Sequence, residues 1–291
     1  MNQITTLTIQ PRGGLREVLR SLLKSRAAIA AAIVVFLYLG VAVFAPVISP
    51  YSPVEMHYDD RFMAPSAKYL FGTDESGRDL LSRIMDGSRI TLSVGFGSAL
   101  VALALGLPLG LLAGFLGGAV DDVIMRILDG LLAFPSIILA MVMVAVFGNG
   151  LENLILAIGV LFSPTLARIT RSAVLVQKNR DYVLAARAVG ASDARIMLRT
   201  VLPNCWSPII VNMSLTIAVS IKVETSLGFL GLGVTIPHAS WGALLRAGYL
   251  NLGRAPWYAI FPGLNIFLII LALNLLGDGL RDALEPRLRE R

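Results

Sequence analysis

The sequence predicts an all-α, polytopic membrane protein with six transmembrane helices. Hydrophobic residues make up 56% of the 291 residues and charged residues only 15%, and the mean hydropathy is +0.74. A soluble domain of this length does not need that much apolar surface, whereas a protein with many membrane-spanning helices does. The second observation is a series of six mainly uncharged stretches near the length that crosses a bilayer as a helix. The third is the distribution of basic residues.

The predicted spans follow one another along the chain. They cover residues 27–49, 90–120, 130–151, 153–167, 204–232 and 255–277. Pro108 and several glycines favour a tilt or kink in the second span, and Pro164 favours a bend in the short fourth span. The first span is too long for the apolar core of a signal peptide and has no evident cleavage signal. It is therefore interpreted as a retained anchor.

Basic residues are concentrated in three segments that six spans would place on one face: the N-terminal segment, the insertion after the fourth span and the C-terminal tail. They are Arg12, Arg16, Arg20, Lys24, Arg26, Arg168, Arg171, Lys178, Arg180, Arg187, Arg195, Arg199, Arg281, Arg287, Arg289 and Arg291. The positive-inside bias predicts that this face, with both termini, is cytoplasmic. Topology thereby explains the net charge of +6, and nucleic-acid binding is not indicated.

This topology divides the chain into five parts. They are a cytoplasmic N-terminal segment 1–26, the first helix 27–49, an extracytoplasmic loop 50–89, a five-helix core 90–278 with a cytoplasmic loop 168–203, and a cytoplasmic tail 279–291. In the first part, Leu15, Leu19, Leu22 and Leu23 form one apolar stripe with basic residues opposite. The stripe predicts an amphipathic helix on the cytoplasmic leaflet, with a solvated tail as the alternative.

Catalytic chemistry is not indicated. Both histidines, His57 and His238, fall in outward loops, so an intramembrane Ser–His hydrolase would lack its base. Asp129 and Asp278 each have an arginine three residues away, which favours anchoring charge pairs over a two-aspartate protease. The sequence has no His/Cys cluster at zinc-ligand spacing and no GxxxxGK[ST] loop, and the single Cys205 excludes an intrachain disulfide. No cofactor or metal is therefore expected on this chain.

Two charged residues interrupt the fifth span. Lys222 and Glu224 would each cost about 2.5–3.5 kcal/mol at a bilayer centre, and they lie about 200° apart around a helix, so they cannot pair. Glu224 continues a stripe of polar side chains in steps of four residues: Asn212, Thr216, Ser220 and Glu224. The stripe predicts either one wall of a polar pathway or a set of interhelical hydrogen bonds, and both interpretations stay open.

The polar insertion predicts a helix, a glycine turn and a second helix. Residues 181–189 are mostly good helix formers, and Gly190 suits the left-handed position that ends a helix. Ser192 or Asp193 would cap a second helix that ends at Pro203. The alternative is a surface hairpin without a partner.

Small and basic residues on the first helix suit contact with another protein. Ala185 and Ala186 would allow a partner surface to approach closely, and Arg187 could reach a partner carboxylate. A transporter half without an energy source of its own would need such a contact.

The same segment resembles the EAA loop of permease subunits of ABC importers. The signature is E-A-A, three residues, Gly, nine residues and I-x-L-P, and Ala185, Ala186, Gly190, Leu202 and Pro203 stand at the required spacing. Two positions depart from it, with Leu184 in place of Glu and Thr200 in place of Ile. The resemblance implies a coupling helix that inserts into a cleft of a cytoplasmic ATPase. Asp181, one turn earlier, would partly substitute for the missing glutamate.

Other segments resemble the dipeptide, oligopeptide and nickel branch of these permeases. They are FGTDESGRDLLSRIMDGSRITLSVG at 71–95, ETSLGFLGLG at 224–233, SWG at 240–242 and LALNLLGDGLRDALEPRLR near the C-terminus. The resemblance extends over essentially the whole chain, and within the branch it fits the subunit type with a short N-terminus and an early outward loop. It implies the transmembrane-domain fold of type I ABC importers.

The first of these motifs predicts a short helix at the outer rim. Thr73 or Ser76 would cap it, Asp79 would complete a capping box, and Leu80 and Ile84 would lie on its apolar side. Such a helix would pack against the bundle or contact a substrate-delivering protein. The rim residues are Gly72, Thr73, Asp74, Gly77, Arg78 and Asp79.

The resemblance implies a function and a set of partners. The function is ATP-driven import of short peptides across the bacterial inner membrane. The partners are a second homologous permease, two cytoplasmic ATPase subunits that bind ATP and magnesium, an extracytoplasmic substrate-binding protein and membrane lipid. Nickel, glutathione or another small solute is the alternative substrate. A self-sufficient secondary transporter is the alternative from another class, but no convincing internal repeat supports it.

Overall fold

The computed structural model describes residues 20, 22–234 and 237–284, and its regular structure is helical, as predicted. The helices are α1 Arg26–Ile48, α2 Leu80–Leu116, α3 Gly118–Leu132, α4 Ser136–Phe147, α5 Leu151–Lys178, α6 Asp181–Ala188, α7 Asp193–Ile196, α8 Trp206–Leu230, α9 Trp241–Leu250 and α10 Trp257–Leu284. The tail beyond Leu284 and nearly all of the predicted N-terminal amphipathic helix, including Leu15 and Leu19, lie outside the described residues.

Among the described residues, five helices are long and apolar enough to cross a membrane: α1, α2, α5, α8 and α10. Helices α3 and α4 pass the same test only together, and they meet at an angle of 89°. Pro135 lies at the break and precedes the first turn of α4. Because proline provides no N–H and disfavours helical geometry in the residue before it, the helical hydrogen bonding stops there.

The packing of α2 on α5 shows that the bent pair completes a sixth crossing. The two helices run parallel, since Gly97 faces Ile155 near their beginnings and Gly114 faces Arg171 and Val174 near their ends. Parallel neighbours require the segment between them to return to the starting side. Within the described part of the chain, α3 and α4 together therefore make that return, in agreement with the six predicted spans.

Three further contacts order the remaining helices. Gly95 of α2 packs on Ile221 of α8, Gly277 of α10 packs on Ser214 of α8, and Gly279 lies against Ala28 of α1. The described ends of the chain therefore lie at the same end of the bundle as α6. We call this the α6 end. The segments 49–79 and 237–256 lie at the opposite end, which we call the far end.

Several helices extend beyond the predicted spans, because charged residues continue helices rather than end them. Helix α2 begins at Leu80 rather than at residue 90, and its first turns carry Arg83 and Asp86 in buried positions. Helix α5 runs to Lys178 rather than to residue 167, because Arg168 and Arg171 pair with aspartates of α3. The third predicted span, 130–151, is divided between α3 and α4.

Two prolines lie inside long helices without ending them. Pro108 and Pro164 both lie within continuous helical segments, in α2 and α5. The hydrogen bond that each proline removes is a single one, and dense packing of α2 against α5 holds both helices in place.

Candidate functional site

The hairpin of α6 and α7 is fixed to the bundle through buried apolar side chains. Val183 and Ile196 are completely buried, and with Val201 they belong to a cluster that includes Phe115 of α2 and Val174 of α5. Lys178 strengthens this junction by donating a hydrogen bond of 2.5 Å from its Nζ to the carbonyl oxygen of Phe115. The hairpin is therefore attached to both α2 and α5.

The opposite side of α6 is exposed and partly apolar. Leu184 is 56% exposed and Val189 84% exposed, and Tyr182 is exposed as well. Ala185 and Arg187 are exposed on the same short helix. We call these five residues the α6 surface. Isolated apolar residues on a surface are ordinary, but three of them on one short helix form a patch suited to another protein.

The turn after α6 has the predicted conformation. Gly190 has a φ of +78°, in the left-handed region, and the N–H of Ala191 donates to the carbonyl oxygen of Ala186 over 3.1 Å. Asp181 lies in the first turn of α6, and Ala186 is half-buried between the two helices of the hairpin. The chain around Gly190 therefore ends α6 with the αL geometry expected from sequence.

The second helix of the hairpin is shorter than predicted. Helix α7 ends at Ile196, and the chain continues as a wider π turn over Met197–Val201 and a tighter 3-10 turn over Leu202–Asn204. Pro203 has no N–H to offer, so the segment before it departs from regular α-helical hydrogen bonding. Leu202 is half-buried and Pro203 exposed.

The predicted rim residues form a buried cluster of charges at the far end. The Asp74 carboxylate is fully buried and pairs with two arginines: Nε of Arg78 is 2.7 Å from Oδ2, and Nη1 of Arg83 contacts the same oxygen. It also accepts backbone hydrogen bonds from Ser76 and Arg78. We call Asp74, Arg78 and Arg83 the Asp74 cluster.

Two glycines let the chain fold tightly around this cluster. Gly77 has a φ of +75°, and a Cβ added there would lie 1.7 Å from the carbonyl oxygen of His57. Gly72 has a φ of +76°, and its Cβ would lie 2.5 Å from the carbonyl oxygen of Met63. Neighbouring Thr73 is buried, and its hydroxyl accepts a hydrogen bond of 2.8 Å from the N–H of Met63.

The predicted short rim helix is not present. Residues 73–79 form turns, and Asp79 is the N-cap of the long helix α2, where its carboxylate accepts a hydrogen bond of 2.8 Å from the N–H of Ser82. Leu80 and Ile84 belong to the first turns of α2 instead. The prediction was wrong because the Thr73 hydroxyl accepts a hydrogen bond from Met63 and the Asp74 carboxylate pairs with Arg83. Neither Thr73 nor Ser76 therefore caps a helix.

An ion pair with an aromatic neighbour stabilises the loop before the cluster. Nζ of Lys68 lies 2.8 Å from Oδ2 of Asp60, and the Tyr69 hydroxyl donates to the same oxygen over 2.8 Å. These hydrogen bonds, led by the one from Lys68, lower the pKa of the Asp60 carboxyl below its ordinary value. Asp60 is therefore ionised throughout the neutral and mildly acidic range.

The polar stripe on α8 lies against the chain's own helices. Thr216, Ser220 and Glu224 are buried, and Asn212 is half-buried. The Glu224 carboxyl faces the hydroxyl groups of Ser240 and Thr91 without reaching hydrogen-bond geometry with either. A pathway along this stripe would need α8 to separate from its neighbours, so the pathway role stays a prediction.

The opposite side of α8 is the open one. Lys222 and Val219 are exposed, on the face turned away from Glu224. The sequence indicated that the two charges diverge, and the structure agrees: Lys222 is exposed and Glu224 is buried. The exposed lysine in an apolar span was the signal that pointed to this second face.

Metal binding has no candidate in the described part of the chain, where no three His, Cys, Asp or Glu side chains are grouped to hold an ion.

Comparisons with known proteins agree over nearly the whole chain. The family model described as "Binding-protein-dependent transport system inner membrane component" matches residues 106–290, and one for the N-terminal transmembrane domain of oligopeptide transport permease C matches residues 15–65. A di/tripeptide transport system permease protein of Pseudomonas aeruginosa is 43% identical over 94% of this chain and 93% of its own. A glutathione transport system permease protein of Pectobacterium atrosepticum is 44% identical over 94% of this chain and 91% of its own.

Solved structures show the same fold. Inward-facing MetNI methionine ABC transporter structures match with TM-scores of 0.56 and 0.58 at 21% identity. The match with the higher score covers 70% of this chain and 97% of the other. With its six crossings and its exposed hairpin at one end, this chain belongs to the family of binding-protein-dependent transport system inner membrane components.

Proposed function

We propose that this chain is the membrane-spanning permease subunit of an ATP-driven importer of short peptides. The observation that carries the proposal is the α6 surface, an exposed apolar patch on a hairpin that is anchored to α2 and α5. Relatives named as di/tripeptide and dipeptide permeases, 43% and 40% identical, support the substrate class. The permease itself carries out no hydrolysis, and ATP with magnesium binds to partner ATPase subunits.

The α6 surface would fill a cleft of the ATPase. Leu184, where the family pattern has glutamate, is exposed, as are Tyr182 and Val189, so the contact would be made by apolar burial rather than by a carboxylate. Arg187 lies at the edge of this patch and would meet an acidic side chain of the ATPase. Coupling requires that ATP-bound and ATP-free ATPases bind the hairpin differently, because a ligand shifts an equilibrium only through its differential affinity.

The α6 end would be cytoplasmic. Arg168, Arg171, Arg180, Arg187 and Arg195 all lie in or beside the hairpin at this end. The positive-inside bias then puts the described ends of the chain in the cytoplasm and the Asp74 cluster outside, in the bacterial inner membrane. The extracytoplasmic binding protein would deliver substrate to the far end.

A second permease would cover the open side of α8. Lys222 lies exposed there among apolar residues of a membrane span, where it needs protein or water rather than lipid. We propose that this face borders the passage between the two permeases. The stripe of Asn212, Thr216, Ser220 and Glu224 would contribute only in a state in which α8 moves, and unchanged uptake by a Glu224→Ala variant would remove it from the pathway.

Glutathione is the second candidate substrate, because the permeases named for glutathione transport are as similar to this chain as those named for dipeptides. Glutathione is itself a short peptide, so both candidates share a backbone and terminal charges. Competition between alanyl-alanine and glutathione for uptake by the reconstituted transporter would separate them.

Site-directed crosslinking tests the proposed function. The only native cysteine, Cys205, is buried, so a cysteine introduced as Ala185→Cys would be the accessible one at this end. In the assembled transporter it should crosslink to an ATPase subunit, and the yield should change when ATP is added. An Asp59→Cys variant, exposed at the far end, is the matched control and should give no such product. Uptake by this chain reconstituted alone would contradict the proposal.

A further inference from the structure

A cavity of about 510 Å³ opens at the far end of the bundle. Its walls come from the segment before α2, from the first turns of α2, from the end of α8, from α9 and from the start of α10. Small-molecule sites in proteins are typically clefts of about 300–1,000 Å³ with a few convergent polar groups. The size of this cavity therefore suits a molecule of two or three residues.

The walls of the cavity carry several charged side chains, and one of them lacks a partner. Arg78 and Arg83 line the cavity, but both are balanced by Asp74, and Arg78 also by Glu75. Arg246 of α9 is exposed in the same cavity and makes no ion pair within the described residues. Its guanidinium lies over Gly231, where an added Cβ would be 2.2 Å from Nη1. The cavity therefore presents one uncompensated cation.

Two buried acceptor atoms in the walls also lack a partner. The Oε2 atom of Glu75 and the hydroxyl of Tyr258 have no hydrogen-bond partner among the described residues, and Tyr258 is completely buried as a residue. The hydroxyl is close to the Glu75 carboxylate but outside hydrogen-bond geometry with it. Buried polar groups in native proteins nearly always have partners, so unpaired ones on residues that line a cavity are suited to bind a polar ligand.

Arg246 on one side and Glu75 with Tyr258 on the other differ in charge and in hydrogen-bonding properties, so they are suited to opposite kinds of ligand group. Arg246 can only donate hydrogen bonds and carries a positive charge, so it is suited to a carboxylate. The free Glu75 oxygen and the Tyr258 oxygen can both accept, so together they are suited to an ammonium group. A zwitterionic short peptide carries both groups on one small molecule.

We propose that this cavity is an entry site on the permease itself for the two charged ends of the incoming peptide, with Arg246 binding the carboxylate and Glu75 with Tyr258 binding the ammonium. The proposal rests on the peptide-import function proposed above, which puts the far end on the side from which substrate arrives. Peptides lacking either terminal charge would bind this site poorly.

Cysteine protection tests the site in the assembled transporter without the binding protein. Ala247 lines the cavity and Leu252 is exposed outside it at the same end, so Ala247→Cys is the reporter and Leu252→Cys the control. Millimolar alanyl-alanine should slow maleimide labelling of the reporter at least fivefold and leave the control unchanged. Alanyl-alanine amide and N-acetyl-alanyl-alanine should give no protection.

Substitution of the unpaired arginine is the second measurement. Arg246→Gln should raise the alanyl-alanine concentration for half-maximal protection about tenfold, which corresponds to about 1.4 kcal/mol. Arg254→Gln, an exposed arginine at the same end but outside the cavity, should leave that concentration unchanged.

Three results would overturn the entry site: no protection, equal protection by the blocked peptides, or protection only when the binding protein is added, which would make the cavity a protein-docking surface. ATP-driven uptake is then measured in the same vesicles after the binding protein has been added. Normal uptake without protection refutes the entry site alone, whereas absent uptake in the unmodified transporter refutes the peptide-import function.

Discussion

The Asp74 cluster and the α6 surface lie at opposite ends of the bundle and use their distinctive residues in opposite ways. At the far end, Asp74 is completely buried and is bound by two arginines. At the α6 end, Leu184 and Val189 are exposed although they are apolar. Both segments were recognised from sequence motifs of similar length.

The difference shows that a recognisable motif can serve either the chain itself or another protein. A buried charge without its partner is strongly destabilising, so the residues of the Asp74 cluster are constrained by folding. An exposed apolar patch contributes little to folding, so the residues of the α6 surface are free of that constraint. Substitutions in the two regions should therefore affect different measurements, and the predictions below are ordered by their effect on the free energy of unfolding.

Replacing the central carboxylate should have the largest effect. Asp74→Asn leaves the buried guanidinium groups of Arg78 and Arg83 without their shared countercharge, which should lower the free energy of unfolding by about 3–5 kcal/mol. Thermal unfolding of the purified protein in detergent measures it. Asp59→Asn, at an exposed aspartate of the same segment, is the control and should change little. A loss of less than about 1 kcal/mol for Asp74→Asn would remove the contrast between the two regions.

Two glycines with nearly equal φ values give a matched comparison. Gly77→Ala would put a Cβ 1.7 Å from the His57 carbonyl oxygen, so overpacking of about 1–3 kcal/mol adds to the strain of positive φ. Gly190→Ala meets nothing within 4 Å and should lose only the conformational part, about 1 kcal/mol. Denaturation of both variants under one condition checks the order. Equal losses would show that the far-end segment relaxes easily.

The α6 surface should tolerate substitution in folding but not in transport. Leu184→Asp should change the free energy of unfolding by no more than about 0.5 kcal/mol, because the side chain is exposed, yet it should reduce ATP-driven uptake at least tenfold. Uptake and ATP hydrolysis measured on the same vesicles reveal the uncoupling. Leu184→Met keeps an apolar side chain and should keep uptake. Normal uptake by the aspartate variant would show that the ATPase does not contact this position.

The smallest expected effect is that of mild acid on the ion pair between Asp60 and Lys68 at the far end. Hydrogen bonds from Lys68 and Tyr69 lower the pKa of Asp60 below 3.8, so its contribution to stability is fully present above pH 3.8 and is lost as pH falls through the lowered pKa of the folded state. Between pH 5 and pH 8 this group should therefore cause no change in unfolding temperature. Below pH 3.8, Asp60→Asn should show a shallower loss than the unmodified protein. If the pH dependence of the unfolding temperature already differed between the two proteins near pH 6, the assignment would be contradicted.

Local sequence signals predicted those features that depend on neighbouring residues. The apolar runs gave six crossings, and Gly190 marked the end of α6 correctly, because both depend on a few consecutive residues. The bend between α3 and α4 was not predicted, because an apolar run has the same composition in a straight helix and in a bent one. Pro135, which lies at the bend, was the local signal for it.

Features that depend on distant residues were not predictable in this way. The contact of Gly77 with His57 and the pairing of Asp74 with Arg83 join parts of the chain that no local pattern connects. Similarly, the spacing of the α8 stripe showed which side chains share a face but not what that face contacts. Glu224 was therefore predicted either to line a pathway or to hydrogen-bond between helices, and the structure adds that Lys222 lies on the open side.

The glycines of α2 bring its backbone against that of α5. A Cβ at Gly106 would lie 2.6 Å from the Ser163 carbonyl oxygen, and one at Gly110 would lie 2.2 Å from that of Ala167. At these two glycines the backbones themselves are in contact, which leaves the two helices little room to move relative to each other. The two helices therefore form a rigid pair. Helix α2 is about 55 Å long at 1.5 Å per residue. The α6 hairpin is attached to one end of the pair and the Asp74 cluster to the other. Tilting one end of this pair would therefore move the other, so a displacement imposed on the α6 hairpin would be transmitted to the far end of the bundle.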